Sequence, residues 1–154
     1  MVDHDPDVVG QSATYIVSGG ASHLGAAIVR QIASAGNNVI IGDADERAAA
    51  KVAEERDGSA SAYRCDVRND QDLKGIVEFA RETYGGLNGI VNNAVSYLDN
   101  GITSSRAEWH EAFDVCVFGG ARLLAEALPM LTQSSPAAVV NVASIAAKIA
   151  QRDR

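Results

Sequence analysis

Residues 18–25, with the sequence SGGASHLG, combine small side chains with the start of a helical pattern. Small residues let the backbone approach a ligand closely, and a helix that begins there offers unpaired N–H groups and the positive end of its dipole. Such a segment is suited to binding the diphosphate group of a ligand. The same pattern is also typical of a tight turn that only joins a strand to a helix, so both interpretations stay open on this segment alone.

Two carboxylates follow the second and third apolar runs of the chain. Asp43 comes 18 residues after Gly25, where a carboxylate accepts both hydroxyls of an adenosine ribose and repels a 2′-phosphate. Asp43 or Asp45 also suits the N-cap of the Ala-rich helix that follows, and the two roles are compatible. Asp66 and Val67 would bind an adenine amino group and cover one face of its ring, with a solvated turn as the alternative.

The elements that position these residues alternate along the chain. Short apolar runs predict five strands, at residues 15–17, 39–41, 61–65, 89–91 and 138–142. Helical spacing and stop signals predict four helices between them, at about 24–35, 45–56, 70–84 and 105–131. Because the strands are apolar throughout, this order predicts an α/β fold with a doubly wound parallel sheet, the Rossmann fold, covered on both faces. Ligands bind such sheets beyond the carboxyl ends of the strands.

Side-chain patterns add detail to three of these helices. The first is inferred from residues at helical spacing, namely Leu24, Ala27, Ile28, Gln31 and Ile32. The third would be capped by Asp70, end at Gly85 and share one apolar face, made by Leu73, Ile76, Val77 and Ala80. The last carries more apolar positions than one core stripe needs, namely Ala112, Val115, Phe118, Leu123, Ala127 and Leu131. This excess predicts an association surface on the 105–131 helix.

Four segments, in order, resemble motifs of the short-chain dehydrogenase/reductase family, classical type. Residues 18–25 resemble its TGxxxGxG turn, and residues 65–67 (CDV) resemble its adenine-binding segment. Residues 92–95 (NNAV) are similar to its NNAG motif, and residues 140–144 (VNVAS) resemble the strand that carries its catalytic serine. The resemblance implies hydride transfer between a nicotinamide cofactor and an alcohol or ketone, by a homodimer or homotetramer.

The resemblance also implies roles for individual residues. Ser144 matches the catalytic serine, which hydrogen-bonds the substrate oxygen. The carboxylate of Asp43 implies NAD rather than NADP as the cofactor. The positions matched to cofactor binding are Gly19, Ser22, His23, Leu24, Gly25, Asp43, Asp66, Val67, Asn93 and Ala94. No metal site is expected.

Three residues depart from the family pattern. His23 replaces the second glycine of the turn, where an imidazole would crowd the pyrophosphate or donate a hydrogen bond to it, although a solvent-facing side chain is favoured. Val95 replaces the glycine of NNAG and adds bulk. Cys116 stands seven residues after Trp109, where the family usually has an active-site asparagine. A buried small hydrophobic side chain is expected there, rather than a reactive thiol.

The family's proton donor, the tyrosine of a YxxxK motif, has no counterpart in the sequence. None of the four tyrosines has a lysine four residues later, and ten residues follow Ser144. The expectation is a polar tail at residues 1–13 and a dinucleotide-binding domain at residues 14–154. That domain would be C-terminally incomplete, with five of the usual seven strands, and the 154-residue chain alone would be inactive.

Composition restricts the partners. The chain carries a net charge of −7 with 47% hydrophobic and 21% charged residues, which suits a globular domain and disfavours nucleic acid or an anionic membrane. No apolar run has the length of a membrane span, and the acidic start is unlike a signal peptide. Two cysteines cannot form a disulfide framework. We expect a cytoplasmic homo-oligomer that acts on a small molecule.

Two other functions remain open at this point. A degenerate family member would bind a dinucleotide or a partner subunit without catalysis, which His23, Cys116 and the missing tyrosine favour. An S-adenosylmethionine methyltransferase shares the glycine-rich turn and the acidic strand end, but residues 92–94 and 140–144 argue against it.

Overall fold

A computed structural model describes residues 12–56, 58–96, 100–145 and 148. Five strands form one parallel sheet, and they are β1 (Thr14–Ser18), β2 (Asn38–Asp43), β3 (Ala60–Arg64), β4 (Gly89–Asn92) and β5 (Ala138–Asn141). Their order across the sheet is β3-β2-β1-β4-β5. The chain therefore winds outward in one direction from β1 to β3 and in the other from β4 to β5. The predicted doubly wound α/β sheet is confirmed, and its switch point lies between β1 and β4.

Five α-helices connect the strands. They are α1 (His23–Ser34), α2 (Glu46–Glu54), α3 (Asp70–Tyr84), α4 (Arg106–Phe113) and α5 (Gly119–Leu131). A π-helical segment, Asp114–Phe118, joins α4 to α5. The uninterrupted helix predicted over 105–131 is therefore wrong in this detail, because a wider turn separates its two halves. Ser105 starts α4 with a capping box that Glu108 completes.

Alternate strand residues supply two core layers. Ile16, Ile40 and Ile90 belong to the layer that α3 and α5 cover. Val17 and Ile41 belong to the layer that α1 and α2 cover. Neighbouring residues of a strand point to opposite faces of the sheet. Continuous apolar strands therefore follow from a sheet that is covered on both sides.

The first helix packs on the sheet mainly through small residues, and Ile28 and Ile32 of the predicted spacing are partly buried against the same core. The buried residues of α1 are Gly25, Ala26 and Val29, whereas Leu24 and Ala27 are exposed. Small residues on the inner face bring the helix axis close to β1 and β2, which favours alanine and glycine there over leucine.

The third helix follows the prediction on its packing but not on its start. All four predicted apolar side chains are buried, namely Leu73, Ile76, Val77 and Ala80. Gly85 ends the helix in the left-handed region, with φ +79°. The N-cap is Asn69 rather than Asp70, because the Asn69 side chain accepts from the backbone N–H of Gln71.

The apolar residues of the last helix divide between core and surface. Leu123, Ala127 and Leu131 pack into the core, so they do not belong to the predicted association surface. Phe118 is exposed, and four further exposed apolar side chains lie on the same helical stretch, namely Trp109, Phe113, Val117 and Leu128. The π-helical segment changes the helical phase, so the faces of α4 and α5 are not one continuous stripe.

Candidate active site

The glycine-rich turn after β1 packs directly on the end of β4. Gly19 has φ +62°, and a Cβ atom there would lie 2.8 Å from the Cα atom of Ala94. A Cβ atom on Gly25, in the first turn of α1, would overlap the Gly19 carbonyl oxygen. Both positions therefore require glycine, for close approach between the turn, the first turn of α1 and β4.

Asn93 joins the end of β4 to this turn. Its buried side-chain Nδ2 donates to the carbonyl oxygens of Ser18, at 3.2 Å, and Gly19, at 2.9 Å. Its backbone N–H donates to Ser18 Oγ at 3.1 Å. Asn93 thus holds the turn in place from behind, and it does not line the cleft described below.

The first turn of α1 has no side-chain cap. Ser22 occupies the N-cap position, but its hydroxyl donates to the Gly19 carbonyl oxygen at 2.7 Å. No acidic residue lies in the first turn of α1. The N–H groups of that turn and the positive end of the helix dipole are therefore available to an anion. His23 is exposed at the first helical position, in agreement with a side chain that faces solvent.

Asp43 lies at the end of β2, next to the same turn. Its Oδ2 accepts from the backbone N–H of Ala21 and its Oδ1 accepts from that of Asp45, both at 3.0 Å. Asp45, rather than Asp43, caps α2 by accepting from Ala48. Because a carboxylate oxygen accepts two hydrogen bonds, each oxygen of Asp43 keeps one lone pair for a ligand.

Asp66 follows β3 and is held by Arg68. The Arg68 Nε donates to Asp66 Oδ1 at 2.9 Å, and its Nη2 donates to Oδ2 at 2.7 Å. These hydrogen bonds from Arg68 lower the pKa of Asp66, against the opposing effect of burial. The carboxyl group of Asp66 is therefore an ionised acceptor at neutral pH.

Cys65 and Val67 flank Asp66 and are both buried. Burial raises the pKa of Cys65 to about 12, so its thiol is inert near neutral pH. Val67 packs against the start of α5, where a Cβ atom on Gly119 would lie 2.8 Å from the Val67 Cβ. This contact fixes the position of Val67 relative to α5.

A cleft of about 390 Å³ opens at the carboxyl ends of β1 to β4. Six predicted cofactor residues line it, namely Gly19, Ser22, Asp43, Asp66, Val67 and Ala94. Its volume lies within the usual range for small-molecule sites. Gly25 and Asn93 lie buried behind the turn, and His23 and Leu24 are exposed at the start of α1. Ser144 lies three residues after β5, is exposed and does not line the cleft.

The cleft also contains residues that were not predicted as site residues. They are Ala44, Cys65, Arg68, Val95, Ser96, Glu111 and Val115. The sequence contained a signal for Arg68, because a basic residue two positions after Asp66 suggests a local ion pair. Glu111 had no such signal, because it lies 43 residues from Arg68, to which it is paired.

Cys116 is exposed, so the expectation of a buried small hydrophobic side chain is wrong. It lies in the π-helical segment, in which no residue is buried. Its Sγ accepts from the backbone N–H of Ser96 at 3.5 Å. The thiol thus contacts the loop after β4, next to the cleft.

Within the described ranges, no group of three or more His, Cys, Asp or Glu side chains is arranged to hold a metal ion. None of the helices in this part of the chain is both long enough and apolar enough to cross a membrane.

The sheet order and the helices on both faces define a doubly wound α/β domain of the Rossmann type. The profile of the short chain dehydrogenase family matches residues 13–153. The chain belongs to this family of oxidoreductases, as its motifs indicated.

Individual proteins agree with this assignment. A 2,5-dichloro-2,5-cyclohexadiene-1,4-diol dehydrogenase of Sphingobium indicum is 30% identical over 137 residues, which cover 86% of this chain and 54% of the relative. A 7α-hydroxysteroid dehydrogenase was solved with NADH and 7-oxo glycochenodeoxycholic acid, and it superposes on this chain with a TM-score of 0.86 at 25% identity. The match covers 93% of this chain and 57% of the dehydrogenase.

The fold is also that of a 3-ketoacyl-(acyl-carrier-protein) reductase from Brucella melitensis, solved with NADH. Its TM-score is 0.83 at 24% identity, covering 89% of this chain and 59% of that protein. The chain therefore spans little more than half the length of the relatives that it matches.

Proposed function

We propose that this chain supplies the cofactor-binding part of an NAD-dependent oxidoreductase, which transfers a hydride between NAD and an alcohol or ketone. The observation that carries the proposal is the position of Asp43, whose carboxylate lies beside the uncapped start of α1 at the edge of the cleft. A ribose and a diphosphate need these two features next to each other.

The residues present fit the proposed cofactor. The two remaining lone pairs of Asp43 suit the hydroxyl groups of an adenosine ribose, and the first turn of α1 suits the diphosphate. Asp66 and Val67 suit the amino group and one ring face of adenine. Gly19 and Ala94 line the cleft at the ends of β1 and β4, where the dinucleotide would lie. The nicotinamide supplies the hydride chemistry when bound.

Asp43 should make the site choose NAD over NADP, because a 2′-phosphate would meet a carboxylate that is already held by two backbone N–H groups. We expect calorimetry at fixed salt to show clearly tighter binding of NAD. The Asp43→Asn substitution should reduce the NAD/NADP preference by roughly tenfold, because it removes the charge repulsion.

Asp45→Asn is the matched control. It removes a charge two residues away but keeps an oxygen that caps α2, so the preference should stay unchanged. Equal or tighter binding of NADP by the unsubstituted chain would contradict the proposed cofactor.

In this proposal, Ser144 orients the substrate oxygen, and the tyrosine and lysine of a YxxxK motif have no counterpart in the 154 residues. The chain by itself is therefore proposed to bind NAD without turning over a substrate.

The free thiols of Cys65 and Cys116 support a reducing, cytoplasmic location. The exposed apolar side chains of α4 and α5 support association with a second copy.

A non-catalytic dinucleotide-binding or partner-binding protein is the second candidate. The exposed thiol of Cys116, at the position of the family's active-site asparagine, favours it, because a thiol is a weak substitute for an amide that holds a carbonyl and a water. NAD binding and turnover, measured separately on a chain supplemented with a family C-terminal half, distinguish the two. Binding without turnover in that hybrid supports the second candidate.

A further inference from the structure

Arg68 holds the Asp66 carboxylate with a planar fork. Its Nε and Nη2 donate to the two carboxylate oxygens at 2.9 and 2.7 Å, and its own backbone N–H donates to Oδ1 at 3.0 Å. A guanidinium fork fixes the plane of a carboxylate as well as its position, which a lysine cannot do. The orientation of Asp66 is therefore set by Arg68.

The two oxygens of Asp66 are not used equally. Oδ1 accepts from the backbone N–H and from Nε, which fills both of its lone pairs. Oδ2 accepts from Nη2 and makes a longer contact of 3.2 Å with the shared Nε. The remaining acceptor capacity of the carboxylate thus lies at Oδ2, and Asp66 lines the cleft.

Arg68 is itself anchored from the other wall of the cleft. Its Nη1 donates to Glu111 Oε1 on α4 at 3.2 Å, and both residues line the cleft. No residue of α4 is buried. Among the ion pairs of the described residues, Arg68–Glu111 is the one that ties α4 to another part of the fold.

We infer that Arg68 is a positioning residue for purine selection. Arg68, anchored by Glu111, holds the Asp66 carboxylate so that it offers only hydrogen-bond acceptors to the cleft. A site with such a carboxylate binds a 6-amino purine and disfavours a 6-oxo purine. The inference rests on the proposed function, since it places the adenine of NAD beside Asp66. It adds a discrimination between adenine and hypoxanthine, and it assigns that discrimination to Arg68 and Glu111.

The discrimination follows from donor and acceptor chemistry. The exocyclic amino group of adenine donates a hydrogen bond to a carboxylate, whereas the carbonyl oxygen of hypoxanthine is an acceptor and meets another acceptor. The Asp66 side chain is 24% exposed, so water relieves part of the mismatch. We therefore expect a preference of roughly tenfold, well below that of a fully desolvated site.

The experiment compares NAD with nicotinamide hypoxanthine dinucleotide, in which a C6 carbonyl replaces the amino group and N1 carries a hydrogen. Calorimetry on the full 154-residue chain gives both dissociation constants, and their ratio is the readout. A residue with a purely structural role would change both constants together and leave the ratio unchanged.

Three substitutions test the assignment. Arg68→Met removes the fork and should reduce the ratio to below about threefold, because an unrestrained carboxylate turns toward water. Glu111→Gln keeps Arg68 but removes its anchoring charge, so it should reduce the ratio by a smaller factor in the same direction. Arg30→Met is the matched control, since Arg30 forms the same kind of two-bond pair with Glu55 and does not line the cleft. It should leave the ratio unchanged.

The outcomes separate the inference from the proposed function. NAD binding with a ratio near one in the unsubstituted chain, or an unchanged ratio in Arg68→Met, contradicts the role of Arg68 and leaves the proposed function intact. Absence of NAD binding to the unsubstituted chain contradicts the proposed function and, with it, the inference. Circular dichroism checks the fold of each variant, and Glu111→Gln decides the question if Arg68→Met does not fold.

Discussion

The residues at the cleft divide into those that line it and those that hold the lining in place. Asp43 and Asp66 face the cleft, and each is oriented by donors from a neighbouring segment. Asn93 is buried and ties the glycine turn to β4. The family resemblance groups all three as cofactor residues; the structure shows Asn93 supporting the turn, and its role toward a cofactor stays a prediction. A change at Asn93 would thus act on the ligand through the turn.

The effect of His23 on NAD binding cannot be read from the family pattern, because the family usually has glycine at this position. It is exposed and starts α1 with helical backbone, so its side chain causes no backbone strain. It does add bulk where a diphosphate would approach the N–H groups. His23→Gly should therefore bind NAD as tightly as the parent or up to several-fold more tightly.

A second exposed histidine provides the comparison for this measurement. His110→Gly makes the same change on α4, at a residue that does not line the cleft, and reports the general effect of glycine in a helix. A clear loss of NAD affinity in His23→Gly, absent in His110→Gly, would show instead that the imidazole is a ligand of the diphosphate.

At the level of secondary structure, the site depends on how closely α1 approaches the sheet. The inner face of α1 carries Gly25, Ala26 and Val29, and its larger apolar residues point away from that face or lie at its margin. This arrangement brings the start of the helix against Gly19 and Asn93. The position of the proposed diphosphate site is thus a consequence of small residues at a packing interface.

Gly25→Ala tests this close approach. The new methyl group would overlap the Gly19 carbonyl oxygen and lie 2.8 Å from Asn93 Nδ2, and neither group is free to move. Overpacking of this kind typically costs about 1–3 kcal/mol, against a gain of up to about 1 kcal/mol from replacing a helical glycine. We expect chemical denaturation to show a net loss of stability and calorimetry to show lost NAD binding.

Gly86→Ala is the control, because nothing lies within 4 Å of its added methyl group. Its free energy of unfolding should stay within about 0.5 kcal/mol of the parent. Parent-like stability and binding in Gly25→Ala would contradict the close-packed turn.

At the scale of the whole molecule, exposed apolar side chains of the described residues lie on two surfaces in particular. One is on α4, the π-helical segment and α5, and includes Trp109, Phe113 and Phe118. The other is on β5, an edge strand whose residues are all exposed, including Val140. Surfaces of this kind promote association, through apolar packing in the first case and strand pairing in the second.

The first of these surfaces is predicted to mediate self-association. Phe118 and Val140 are exposed to similar extents, 56% and 51%, so lysine substitutions at the two sites are comparable. Light scattering over a concentration series should show oligomers for the parent and for Val140→Lys, and mainly monomers for Phe118→Lys. A parent chain that stays monomeric at high concentration, or dissociation caused only by Val140→Lys, would contradict this prediction.

The 154-residue chain by itself should show no dehydrogenase activity. Ketone reduction needs a proton delivered to the developing alkoxide, and a positioned general acid typically contributes ~10²–10⁴-fold. No YxxxK motif supplies that acid here, and Ser144 alone orients a carbonyl without replacing it. An assay with NADH and a panel of ketones and aldehydes should give the buffer rate. Turnover that Ser144→Ala abolishes would reveal another proton donor.

The sequence by itself determined the strands, the parallel sheet, the glycine turn and the carboxylates at the strand ends. These features depend on residues close together in the chain: β-branched runs such as Val39–Ile41, or a small-residue turn followed by helical spacing. In a parallel sheet the carboxyl ends of the strands share one edge, so the topology alone places Asp43 and Asp66 near each other.

Only the tertiary structure decided which face of α1 is buried, where the π-helical segment lies and that Cys116 is exposed. It also showed that Glu111 reaches Arg68 across 43 residues of chain. Such features depend on how one element packs against another. That packing is the sum of many small contacts between residues that are distant in sequence. No local pattern records that balance, because the same apolar spacing is compatible with several packing faces.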